Sequence, residues 1–140
     1  MFICDISVFN RFGKELLDDR LTPLMLTWRD LVALLVLDDA PGIRQSALSR
    51  FLQTDKANIT KMLQGLEDKG WIRRDTDGSD QRIKRCRLTE EGQMLVPLLK
   101  SAMARWEESC FQDLTAEERA VFHRLSDKIS KRLMAESRRS

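Results

Sequence analysis

Residues 55–70 read Asp-Lys-Ala-Asn-Ile-Thr-Lys-Met-Leu-Gln-Gly-Leu-Glu-Asp-Lys-Gly, and residues 71–88 continue Trp-Ile-Arg-Arg-Asp-Thr-Asp-Gly-Ser-Asp-Gln-Arg-Ile-Lys-Arg-Cys-Arg-Leu. In the first run Ile59, Met62, Leu63 and Leu66 recur at i, i+3, i+4 and i+7, the single apolar stripe of an amphipathic helix. Asp55 is an N-cap, its carboxylate placed to accept from backbone N–H groups of the first turn. Gly70 stands where a left-handed residue ends a helix. With the stripe turned inward, Lys56, Ala57, Asn58, Thr60, Lys61 and Gln64 lie outside or at its edge. These are short or hydrogen-bonding side chains with two cations, able to approach base edges and phosphates. An ordinary solvated helix face has the same composition, so the helix alone does not decide.

The second run decides. Its polar loop, residues 76–81, has the turn chemistry of Asp77-Gly78 and Ser79-Asp80 between two short strands. Period-two alternation puts Lys84, Cys86 and Leu88 on one strand face and Ile83, Arg85 and Arg87 on the other. Residues 43–88 hold eleven cations against six anions, a net +5, whereas the whole chain is +2, which leaves the flanks at −3. Segregated charge of this kind fits a polyanion. Arg82, just past the loop tip, is placed to enter a minor groove, where the potential is most negative. A second short helix near 44–52 carries Ala47, Leu48, Phe51 and Leu52. Only Gln53-Thr54 separates it from Asp55, so the two helices must meet steeply, as in a helix-turn-helix. A recognition helix followed by a basic hairpin predicts a mainly α fold with a small β-wing: a winged helix-turn-helix.

The segments Leu48-Ser-Arg-Phe-Leu52, Lys56-Ala-Asn-Ile-Thr-Lys61, Leu66-Glu-Asp-Lys-Gly70, Arg73-Arg74, Asp80-Gln-Arg82 and Leu88-Thr-Glu-Glu-Gly92 resemble the multiple antibiotic resistance regulator (MarR) family. The likeness extends to Leu114-Thr-Ala-Glu-Glu118 and covers residues 9–133. It implies a homodimeric bacterial transcription factor, usually a repressor, bound to a palindromic operator on double-stranded DNA. By the same resemblance the helix at 55–69 enters the major groove, Arg82 probes the minor groove and Asp80 pairs with an arginine to shape the wing tip. Arg73, Arg74, Arg85 and Arg87 would serve the phosphate backbone. Two positions depart from the family pattern: Gln53-Thr54 replaces a glycine-plus-aliphatic turn, and Arg44 stands where a Thr or Ser cap is frequent.

The flanks predict helices for pairing. A first helix over 6–18 carries Phe9, Phe12, Leu16 and Leu17. Thr27 with Asp30 caps a second, containing Trp28, Leu31, Val32, Leu34 and Leu35. Thr89 caps a long helix with Leu95, Leu98, Leu99, Ala102 and Trp106 in period, which Pro97 should kink. Thr115 and Glu118 form a capping box for the last, whose stripe is Val121, Phe122, Leu125, Ile129 and Leu133. These terminal helices either pack within one chain or form an intersubunit bundle. Because a winged helix has its own core, the bundle is the expected use, with Phe9, Phe12, Leu16 and the last helix's stripe at the interface. The chain of 140 residues is then one domain, with a winged lobe at 27–88 and a helical dimerisation lobe from 1–22 and 89–140.

Hydrophobic residues at 42% and charged ones at 33% fit a folded, helix-rich chain. No run approaches the roughly 18 apolar residues of a membrane span, and no secretory signal is apparent, so a cytoplasmic protein without membrane contact is expected. Cys4, Cys86 and Cys110 share no metal-like spacing and His123 is the one histidine, so neither metal nor cofactor is expected. Cys4 is a candidate redox thiol by likeness to relatives that sense peroxide through an N-terminal cysteine, although those surround it with tyrosines and this chain has none. There is no glycine-rich phosphate loop and no nucleophile elbow, and a hydrolase built on His123 and Ser126 has little to support it, so no enzyme is expected. Other readings are a winged helix used only for protein contact and a cysteine-based redox regulator. Family resemblance also implies a small aromatic or anionic effector between the helical and winged lobes, with Trp28, Met94 and Leu98 as either its walls or simple core.

Overall fold

The computed structural model of the chain describes residues 1–139. Its elements run α1 (Phe2–Val8), a π-helical segment (Phe9–Gly13), α2 (Lys14–Leu21), a 3₁₀ turn (Thr22–Leu24), α3 (Trp28–Asp39), β1 (Ile43–Arg44), α4 (Gln45–Phe51), α5 (Lys56–Asp68), β2 (Ile72–Thr76), β3 (Lys84–Leu88), α6 (Glu90–Cys110) and α7 (Ala116–Ser137). The mainly α fold with a small β-wing is the one expected. By its internal contacts the chain divides into two units, Met1–Trp106 and a second from Glu107 onward.

In the first unit, α3 opens with the expected capping box: Thr27 accepts from the Asp30 amide, and the Asp30 carboxylate accepts from the Thr27 amide. Leu31, Ala33, Leu34 and Leu37 of α3 are buried in one core with Leu48 of α4 and Ile59, Leu63 and Leu66 of α5. Ile72, Cys86 and Leu88 close that core from the hairpin, and Leu95, Val96, Leu99 and Ala102 from α6. Leu17 and Leu21 of α2 belong to it as well, so the C-terminal turns of the first helical stretch share the winged lobe's core. The sheet is antiparallel in the order β1-β3-β2, with Ile72 opposite Leu88, Arg74 opposite Cys86 and Ile43 opposite Cys86 on the other edge.

Two features differ from the sequence expectation. The first helical stretch starts at Phe2 rather than residue 6, and it changes to π-helical hydrogen bonding over Phe9–Gly13. One extra residue is accommodated there, and the Gly13 carbonyl accepts from the Trp106 indole N–H at 2.9 Å. The two-residue strand β1 has no local pattern; it exists because β3 offers it a free edge. Pro97 lies inside α6, which continues on both sides of it as one 21-residue helix, the missing donor costing one internal bond.

The second unit is α7 with the end of α6 and the turn between them. Thr115 and Glu118 form the expected reciprocal capping box. Phe111 stacks edge-on to Phe122, with ring centroids 5.2 Å apart, and its carbonyl accepts from Arg119. No residue of α7 is buried: Val121, Phe122, Leu125, Ile129 and Leu133 are all exposed.

Candidate nucleic-acid interface

Two local devices aim α5. Its N-cap Asp55 accepts from the Asn58 amide at 2.7 Å and from the Asn58 side chain at 3.1 Å. Before it, Gln53 adopts the left-handed conformation (φ 51°), and Ser49 donates to the Thr54 carbonyl, closing the short turn from α4. At the far end Gly70 takes φ 80° and the chain enters β2. The Met25 carbonyl, itself in a left-handed residue, accepts from Lys69.

The outward face is as expected: Lys56, Ala57, Asn58, Thr60, Lys61 and Gln64 are all exposed. Among the described residues Lys56 and Lys61 make no ion pair. The two amide side chains are engaged inside the protein, Asn58 with Asp55 and Gln64 with Asp68 and Arg74.

In the hairpin the arginines divide by role. Arg82 at the wing tip is 91% exposed; it pairs with Asp80 at 3.2 Å, and Asp80 also accepts from the Arg82 amide. That amide bond first, then the Arg82 side chain, holds the Asp80 carboxyl below its ordinary range. Arg85 bridges Asp77 and the Gly42 carbonyl, tying the base of the wing to the end of the α3–β1 turn. Asp77 is held acidic by the Ser79 amide and by Arg85. Arg73 is exposed beside Asp75 and stands directly opposite Arg87 across the ladder. Like charges in register are unfavourable unless a counter-charge is supplied, and Asp75, 3.4 Å from Arg73, supplies one. The Arg87 guanidinium lies over Gly42, where an added Cβ would fall 2.6 Å from it.

Arg74 corrects the sequence expectation. Its side chain is only 11% exposed and donates to Glu67 and Gln64, while its own amide donates to Glu67. The hairpin turns this arginine back at the helix, so it braces α5 against β2 while what remains exposed of it lines the groove between α4, α5 and the wing. Arg74 in turn lowers the Glu67 pKa, chiefly by that side-chain hydrogen bond.

Between α4, α5 and the wing lies an open groove of about 590 Å³ that includes Gln45, Arg50, Lys56, Thr60, Arg82 and Lys84. No carboxylate lines it. Arg50, Gln45 and Lys84 were not among the expected site residues. Lys84 does share a strand face with Cys86 and Leu88, but the core ends before it and the side chain emerges into the groove. A second hollow, of about 440 Å³, lies beside Thr27, Asp30, Asn58, Lys61 and Lys69. Trp28, Met94 and Leu98 line neither. Trp28 is capped by the Lys14 ammonium 3.8 Å above its ring, while Met94 and Leu98 are exposed on α6 and are not core.

Cys4 is exposed and Cys110 is exposed, whereas Cys86 is buried, its thiol pushed up to about 11 by desolvation. Among the described residues no three His, Cys, Asp or Glu side chains cluster as metal ligands, and no helix is long and apolar enough to cross a membrane.

The MarR family model matches residues 26–84. A MarR crystal structure is 28% identical and superposes with a TM-score of 0.87 over 96% of this chain and 98% of its own. A MarR transcriptional regulator from Methanosarcina mazei Go1 is 29% identical (TM-score 0.83; 96% and 98% covered). A cysteine-to-serine mutant of MarR from E. coli, crystallised in complex with operator DNA, is 27% identical (TM-score 0.77; 89% of each chain).

Proposed function

Because this chain belongs to the MarR family of winged-helix transcriptional regulators, we propose that it is a homodimeric repressor that grips a palindromic operator and releases it when a small anionic or aromatic effector binds. The observation that carries this is the wing tip. Arg82 stands 91% exposed at the wing tip with Asp80 as its partner, beside an α5 whose Lys56 and Lys61 make no ion pair among the described residues, and no carboxylate lines the groove that holds Arg82 and Lys56. The operator complex of the E. coli relative supports the same use here.

In this reading Lys56, Ala57, Thr60 and Lys61 meet the major groove, with Asn58 and Gln64 holding the helix surface. Arg82 enters the flanking minor groove, Asp80 fixes its direction, Arg73 and Arg87 serve phosphates, and Arg85 holds the base of the wing. Arg74 acts through the fold. Dimerisation uses Phe9, Phe12, Leu16 and the α7 stripe, all exposed. It matters because two recognition helices must match half-sites about one DNA turn apart. An anion seated among Arg50, Lys56, Arg82 and Lys84 would meet the same cations as the DNA and so compete with it directly.

The test is binding to a duplex recovered by selection from a randomised library. Arg82→Ala is expected to weaken binding and dull the preference for A·T pairs flanking each half-site. Lys61→Ala is expected to relax sequence choice by about 1–3 kcal/mol at one position. Removing a phosphate-contacting arginine lowers the salt-dependence slope by about 0.9. Variants that all bind like the parent chain, with the same sequence preference, would overturn this placement of the interface.

A further inference from the structure

Thr60 is exposed on the outer face of α5, yet its hydroxyl is already committed. The Oγ1 proton goes to the Lys56 carbonyl one turn back, at 2.7 Å. The same oxygen accepts from Nε2 of Gln45, the first residue of α4, at 3.2 Å across fifteen positions of sequence. With Nε2 turned to Thr60, the Gln45 Oε1 is left buried without a hydrogen-bond partner among the described residues. A helical threonine divides between two χ1 rotamers, because its oxygen can reach backbone carbonyls one turn back from either. The donor from α4 selects one of them. With its proton spent, the hydroxyl can no longer donate to a base and keeps one lone pair, while the γ-methyl is the apolar end of the side chain, and Ala57 presents a second methyl three residues earlier on the same face.

We propose that α5 reads thymine through the methyl groups of Thr60 and Ala57, and that Gln45, which touches no base, is the positioning residue that sets this preference. The inference rests on α5 being the recognition helix. It assigns to the Thr60 position an apolar contact with the thymine 5-methyl, in place of a hydroxyl hydrogen bond to a base edge.

The experiment uses the full-length protein and a duplex selected from a randomised library, with each thymine replaced in turn by deoxyuridine, which removes only the 5-methyl. The parent chain is expected to lose about fourfold in affinity at one thymine per half-site, the worth of one buried methyl. Thr60→Val keeps that discrimination and Thr60→Ser reduces it to what the Ala57 methyl supplies, whereas readout by the hydroxyl predicts the reverse. Gln45→Leu is expected to cut the discrimination to roughly half, as the second rotamer becomes populated. Its thermal unfolding separates this from any loss of fold. Indifference of the parent chain to every deoxyuridine, or retention of the full effect in Thr60→Ser or Gln45→Leu, overturns the proposal while leaving DNA binding intact. If no duplex is enriched at all, the recognition-helix reading fails with it.

Discussion

At the residue scale the backbone sets two opposite expectations. Gln53 occupies a left-handed position that a glycine would take without strain. The sequence marks it as a departure from the family's turn, and the structure shows the turn retaining its geometry at the cost of that strain. Gln53→Gly should therefore raise stability by about 1 kcal/mol, read by urea or thermal unfolding. At Gly70 (φ 80°) an added Cβ meets nothing within 4 Å, so only the backbone conformation is at stake. Gly70→Ala should then cost about 1–2 kcal/mol without altering DNA contacts. Gly92 is the third case: its Cβ would sit 2.0 Å from the Trp71 carbonyl, so the first turn of α6 packs directly on the entry to the wing. Cys86 shows what pattern alone can reach. Alternation identified it as inward, and burial makes it an unreactive thiol, so native protein treated with iodoacetamide near neutral pH should be labelled at Cys4 and protected at Cys86.

Among the elements, the caps were readable because their chemistry is local. Thr27 with Asp30, Asp55 with Asn58 and Thr115 with Glu118 are each three residues apart, and all three work as their residue types dictate. What was not readable depends on partners brought by the fold. β1 needs an edge forty residues further along the chain. Arg74 looked like its exposed neighbour Arg73, and only the angle between α5 and the hairpin turns it toward Glu67. That pair predicts an acid sensitivity. Glu67 titrates below its ordinary value of 4.5 in the folded chain, so the unfolded chain takes up the proton first. Its contribution is complete above about pH 4.5 and is lost as pH falls through the lowered folded value. Glu67→Gln should cost about 1.5–3 kcal/mol at neutral pH and flatten the stability profile in that acid window, measured by denaturant melts across pH.

For the whole molecule the unanswered surface is apolar. Phe9 and Phe12 in the first unit and Val121, Phe122, Leu125 and Leu133 in the second are each more than a third exposed, an apolar stripe in each unit. Leu125→Glu combined with Ile129→Lys should yield monomers in sedimentation equilibrium, with operator affinity falling far more than any single groove contact would explain. Composition and periodicity made these stripes visible, since a helix with a good apolar face and nothing to bury it is legible as a demand for a partner. The π-helical segment was not legible, because an inserted residue leaves no mark on a short apolar run. It carries a consequence for angular phase. Deleting one residue between Phe9 and Gly13 would restore ordinary winding and swing Phe2, Ile3 and Ile6 by about 100° around the helix axis. In a dimer of the proposed kind, two chains differing by that one residue would present these three side chains at different angles.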